Sequence, residues 1–208
     1  MSAENRRPLA TRQAGWARRI ASALAKSAVT PNQISVISIV FALIGAALLL
    51  KWPTPIGFVL AAVCVQLRLL CNLLDGMVAI EGGKQSPTGM LYNEFPDRVA
   101  DSLFLVALGY AAGYGWLGWL MALLAALTAY IRVTGGSLGL MQDFRGPQAK
   151  PHRMAVMTVA LLIGAAELHW RGSVQVLLIA SIVIAVGTAL TCITRTRAIA
   201  AQLKARNG

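Results

Sequence analysis

Residues 56–80 read IGFVLAAVCVQLRLLCNLLDGMVAI, 25 residues with two charges, Arg68 and Asp75. Such a run is long enough to cross a bilayer as an α-helix. It is continuous rather than alternating, so it is a helix and not a barrel strand. Working outward, comparable runs predict five more spans, at 33–50, 98–113, 116–138, 154–168 and 173–194. The chain is 57% hydrophobic and 13% charged, where a soluble domain has about 45–50% and 25%. The expected fold is therefore all-α: a polytopic membrane protein with six transmembrane helices. The linkers KWPTP, GYG and WRG are tight and predict antiparallel hairpins.

The 19 Lys and Arg give a net charge of +11, and all but Lys51, Arg68 and Arg171 fall at one set of span ends. That asymmetry predicts that both termini and the long loops face the cytoplasm, with the chain in a bacterial-type inner membrane. No soluble reading module is present, so nucleic acid is not an expected partner. Leu9, Trp16, Ile20, Ala23 and Leu24 share a face between residues 9 and 28, which predicts an amphipathic juxtamembrane helix in the headgroup region. A positively charged topology anchor is the compatible alternative. The division that follows is a segment at 1–30, a membrane domain at 31–198 and a basic cytoplasmic tail at 199–208. Cys64, Cys71 and Cys192 are scattered and form no disulfide or zinc pattern, and His152 and His169 stand alone.

Five of the eight acids, Asp75, Glu81, Glu94, Asp97 and Asp101, lie between residues 75 and 101. A carboxylate at membrane depth is costly and marks a functional candidate. Asn72, Asp75 and Ala79 share one helix face at i, i+3, i+7. Asn93, Asp97 and Asp101 share another at i, i+4, i+8 if the third span begins early enough. A glycine-rich hairpin joins the two faces, so they can converge at the cytoplasmic end. Oxygen ligands favour a hard cation, Mg²⁺ or Mn²⁺, of the kind that stabilises phosphoryl transfer. A solvated loop and helix start account well enough for Glu81 and Glu94, which are set aside. They account poorly for Asp75 and Asp101. Arg68 lies one turn deeper than Asn72 on the Asp75 face, at the depth of Asp101, which predicts an Arg68–Asp101 contact beneath the site.

The stretch Asn72-Leu-Leu-Asp75-Gly76-Met-Val-Ala79-Ile80, eight residues, then Gly89-Met-Leu-Tyr-Asn93-Glu-Phe-Pro-Asp97 resembles the signature of the CDP-alcohol phosphotransferases, D-x-x-D-G-x-x-A-R…G-x-x-x-D-x-x-x-D. TPNQIS at 30–35 is similar to the family's lead into its first span. The resemblance implies that a CDP-linked lipid donor, usually CDP-diacylglycerol, passes its phosphatidyl group to a small alcohol acceptor with release of CMP. Asn72, Asp75, Asn93 and Asp97 stand at the metal-holding positions. Gly76, Ala79 and Gly89 stand where the nucleotide approaches. The fourth position, Asp97, is the implied base. An alternative register, aligning DRVAD with a DPVAD pattern, makes Asp101 the base. Family members are often homodimers.

Asn72, Asn93 and Ile80 replace two aspartates and the signature arginine, leaving −2 where −4 is usual. A single metal, a second ion arriving with the diphosphate, help from Asp101, or loss of activity are all open. Arg132 and Arg153 are candidates for a substrate phosphate, Lys150 a lesser one; simple cytoplasmic charge bias also explains all three. The rival function is a non-catalytic relative that binds CDP-lipid or acts as a membrane scaffold. A small transporter fits less well, because the acids cluster at one membrane face rather than at the midplane.

Overall fold

The computed structural model describes residues 14–207. Among them are seven helices and no strand: α1 (Gly15–Lys26), α2 (Pro31–Lys51), α3 (Pro55–Ile80), α4 (Gly89–Ala111), α5 (Gly115–Ser137), α6 (Lys150–Arg171) and α7 (Gln175–Asn207). Leu9 and the arginines at 6, 7 and 12 lie outside the described residues. Five helices, α2, α3, α5, α6 and α7, are long and apolar enough to cross a membrane. The sixth expected span is α4. It has the length, at 23 residues, but carries Glu94, Asp97, Arg98 and Asp101.

The helix starts follow from local chemistry. Thr30 caps α2 in a reciprocal box with Gln33, the Gln33 N–H donating to Thr30 Oγ1 at 3.2 Å and the Thr30 N–H to Gln33 Oε1 at 2.9 Å. Thr54 caps α3 through the Gly57 N–H at 3.1 Å. Pro31 and Pro55 follow their caps, where a missing N–H costs nothing. Gly172 ends α6 at φ 64, the left-handed conformation that glycine adopts freely. Two boundaries differ from expectation. The third span was predicted to begin at Arg98, after Pro96. Instead α4 runs through Pro96 from Gly89, since proline removes one helical bond without having to end the helix. The last span was predicted to stop at 194 with a separate tail from 199, but α7 continues unbroken to Asn207.

The three tight linkers make hairpins of α2/α3, α4/α5 and α6/α7. The six long helices close into a ring in the order α4–α2–α3–α6–α7–α5 and back to α4. Away from the charged residues the ring is held by close packing of small residues, as in other membrane bundles. A Cβ on Gly109 would lie 2.4 Å from the Gly118 Cα, so α4 and α5 touch backbone to backbone. A Cβ on Gly45 would lie 2.5 Å from the Phe104 ring, seating α2 on α4. Large side chains such as Ile37, Leu43, Leu123, Ile163 and Val186 point outward, toward lipid.

The amphipathic helix is present as α1, and Trp16 and Ile20 of its expected apolar face are turned away from the bundle. Ala17 and Ala21 are buried against the bundle. The Lys84 ammonium ties α1 down by donating to the carbonyls of Leu24, Ser27 and Val29. There the chain also passes so closely that a Cβ on Gly82 would lie 2.8 Å from that of Ala25.

Candidate active site

A cavity of about 1070 Å³ opens between α3 and α4 at the end of the ring where α2, α4 and α6 begin. The backbones of α3 and α4 approach each other at few points, so the cavity separates them and side chains bridge it. Asn72, Asp75, Gly76 and Ala79 of α3 line one wall; Gly89, Asn93, Glu94, Asp97 and Arg98 of α4 line another. Ser35 comes from α2, Arg132 from α5, Lys150 and Arg153 from α6, and Arg195 from α7. The cavity continues as an apolar groove along the bundle, past Val59, Val63, Leu67 and Leu70 of α3 and Leu162 of α6, and its rim includes Trp16. Every expected site residue except Asp101 is on these walls.

The two motif aspartates have different surroundings. Asp75 is 5% exposed and accepts a hydrogen bond from Ser35 Oγ at 2.6 Å. Among the described residues no Lys or Arg is in ion-pair contact with it. Asp97 is ringed by donors. Its Oδ1 accepts from Arg68 Nη2 at 3.1 Å and from the Asn72 amide; its Oδ2 accepts from the Lys150 ammonium, with Arg98 Nη2 at 3.5 Å. A carboxylate offers about four lone-pair sites, of which the chain's own donors fill three, leaving one open.

Asp101 lies beneath the cavity. It is 2% exposed, with Arg68 Nη2 at 2.6 Å and Arg153 Nη2 at 3.3 Å. The Arg68–Asp101 contact read from matching depths is present. The same contact, with Arg153, keeps Asp101 off the cavity walls. Buried charges need such partners, and these pairs lace α3, α4 and α6 together.

Glu94, set aside on sequence grounds, lines the cavity and grips Arg132, whose Nη2 lies 2.6 Å from both carboxylate oxygens. Arg132 also donates to Gln142 Oε1 and stacks 5.3 Å from the Phe144 ring centre. Arg195, which the sequence reading counted only as a basic end, donates to the carbonyls of Thr128 and Arg145, each at 2.8 Å. The loop carrying Arg145 is shaped by Asp143, which accepts the Arg145 N–H at 2.8 Å and its Nη2 at 2.9 Å. Burial raises the Asp143 carboxyl, but the Arg145 hydrogen bonds and charge outweigh this and hold it below the usual carboxylate range.

The oxygen-only set on the walls suits a hard divalent cation. Asp75 supplies a carboxylate without a cation, and Asn72 directs its amide N–H at Asp97, leaving its carbonyl oxygen as an acceptor. Among the described residues no three His, Cys, Asp or Glu side chains converge as a ready metal cage. The residues therefore fit one ion beside Asp75 and do not fit a second beside Asp97.

This membrane bundle, with a polar cup at one end and an apolar groove leading from it, defines an integral-membrane transferase that acts on a lipid with a charged head. The family model described as CDP-alcohol phosphatidyltransferase matches residues 28–202, and the chain belongs to that family. It is 28% identical over 148 residues to the inner membrane protein YnbA of Escherichia coli (strain K12), covering 71% of this chain and 74% of that one. It is 31% identical over 150 residues to the archaetidylinositol phosphate synthase of Aeropyrum pernix, covering 72% and 75%. The fold matches the crystal structure of Mycobacterium tuberculosis phosphatidylinositol phosphate synthase with CDP-DAG bound, at TM-score 0.71 and 19% identity over 89% of this chain and 94% of that one. A second structure of that synthase, in complex with manganese and citrate, matches at TM-score 0.71 and 19% identity over 88% of each chain.

Proposed function

We propose that the protein transfers the phosphatidyl group of CDP-diacylglycerol to the hydroxyl of a small phosphorylated alcohol, releasing CMP, with the cavity end facing the cytoplasm. One observation carries this reading: Asn72, Asp75 and Asp97 share a cavity with Arg132, Arg153 and Arg195. The first group suits a metal-bound diphosphate and the second a phosphate on the acceptor. The names of the curated relatives, which make inositol phosphate lipids, support the acceptor class.

In the reaction the acceptor oxygen attacks the lipid-side phosphorus, the bond to the CMP oxygen breaks, and the hydroxyl proton passes to Asp97. A bound Mg²⁺ or Mn²⁺ would offset charge on the diphosphate and on departing CMP. Asp75 would be its main ligand, with Asn72 and Asn93 contributing carbonyl oxygens. Gly76, Ala79 and Gly89 would let the nucleotide lie close to the helices. At Gly89 a Cβ would meet nothing nearer than Ser86 Oγ at 3.5 Å, so packing alone does not demand glycine there. Arg132 and Arg153 would orient the acceptor phosphate, and Asp101 would act only through Arg68 and Arg153.

The test is labelled CDP-diacylglycerol offered with a panel of acceptors in Mg²⁺ or Mn²⁺. Labelled lipid should form with inositol phosphate and disappear in EDTA or in Asp97→Asn. No CMP release with any acceptor and either metal would refute the reading. A non-catalytic CDP-lipid binder is the second reading, favoured by the three donors and the further cation that the chain already holds around Asp97. It predicts CDP-lipid binding without turnover, and turnover appearing only when Asn72→Asp and Asn93→Asp are combined.

A further inference from the structure

Two asparagines at metal-holding positions remove two negative charges from the cup, which is the amount of positive charge that one divalent ion supplies. The two remaining aspartates differ in how they are neutralised. Asp75 is 5% exposed, lines the cavity and has no cation of the chain in contact with it, among the described residues. A buried carboxylate in that state calls for a cation from outside. Asp97 already has its cations: Arg68 on Oδ1, Lys150 on Oδ2 and Arg98 close by at 3.5 Å. Lys150 is placed for this by the fold. It is the first residue of α6, its side chain is 17% exposed, and it reaches the cavity from the helix facing α3. A lysine ammonium is a compact point charge with rotatable donors, able to face a carboxylate and a phosphate at once.

We propose that Lys150 is a built-in cation standing where a second divalent ion would otherwise sit against Asp97, so that the site takes one divalent ion per chain, at Asp75. The inference deepens the transferase reading and rests on its metal requirement. It makes Lys150 a contact to the diphosphate and ties the asparagines and the lysine together as one compensated set.

The experiment counts Mn²⁺ bound to the purified full chain in detergent, by calorimetry and by electron paramagnetic resonance, with CDP as the nucleotide probe. Wild type should bind one ion per chain, and Lys150→Arg should keep that count. Lys150→Met should tighten Mn²⁺ binding about tenfold, because a like charge leaves the cup. The triple variant Asn72→Asp, Asn93→Asp, Lys150→Met should bind two. Two ions on wild type, or one ion on a triple variant that melts like wild type, overturns the proposal. Two ions together with CMP release would leave the transferase reading intact and sink only the role of Lys150. One ion on wild type and two on the triple variant, with no CMP release from either, would sustain the built-in cation and remove the transferase reading.

Discussion

At the cavity end of the ring, α3, α4 and α6 are joined by buried charges: Arg68 to Asp97 and Asp101, Lys150 to Asp97, and Arg153 to Asp101. At the opposite end α4 and α5 touch backbone to backbone through Gly109 and Gly118, with no charged side chain at the contact. The far-end acid, Glu167, serves only local structure, accepting from the Gln175 and Val176 N–H groups at the start of α7. Close apolar packing is the less costly way to join helices in lipid. Buried ion pairs add desolvation cost and are not needed for strength alone. Their concentration around one cavity therefore marks the end where charge is used.

Four substitutions sharpen or break that contrast. Arg68→Met should have the largest effect, about 3–5 kcal/mol of lost stability, because it strips Asp97 and Asp101 of a shared buried partner. A thermal melt in detergent unchanged from wild type would show the ion network to be dispensable. Asp75→Asn should lower CMP release by about 100- to 1000-fold, the scale for removing one preorganised charge from a reacting centre. Its melting temperature should stay close to wild type, since no ion pair is broken. A large loss of stability instead would assign Asp75 to the scaffold. Gly109→Ala should destabilise by about 1–3 kcal/mol through overpacking at the α4–α5 contact, while the metal count at the other end stays the same. Gly89→Ala should shift stability by less than about 0.5 kcal/mol, yet raise the KM for the CDP-lipid. An unchanged KM would move the nucleotide away from this wall.

Most of the fold was legible because lipid imposes long apolar runs, and the tight linkers leave little topological choice. The errors lie where charge interrupts hydropathy. Glu94 reads as part of a loop and helix start before a span at Arg98, yet α4 begins at Gly89, early enough for Asn93, Asp97 and Asp101 to share a face, and its polar face looks into the cavity rather than into lipid. Arg68 and Asp101 could be paired from depth alone, since each sits about one turn below a motif residue. Lys150 could not be ranked this way. Its partner is 53 residues away in sequence, on a helix that no local pattern brings opposite α6. Glu94 was dismissed for the same reason, because its value lies in Arg132 of α5. Arg195 gave no signal beyond the general excess of cations at one set of ends.

The apolar groove that runs from the cup past Leu70, Leu67 and Val63 to Val59 has a bearing on how a lipid would be handled. Under the proposed function the acyl tails can stay immersed beside α3 and α6 while only the head rises to the polar rim. No free energy goes into extracting hydrocarbon from the bilayer. Turnover would then follow the lipid's sideways diffusion and its density in the leaflet, rather than its vanishing concentration in water.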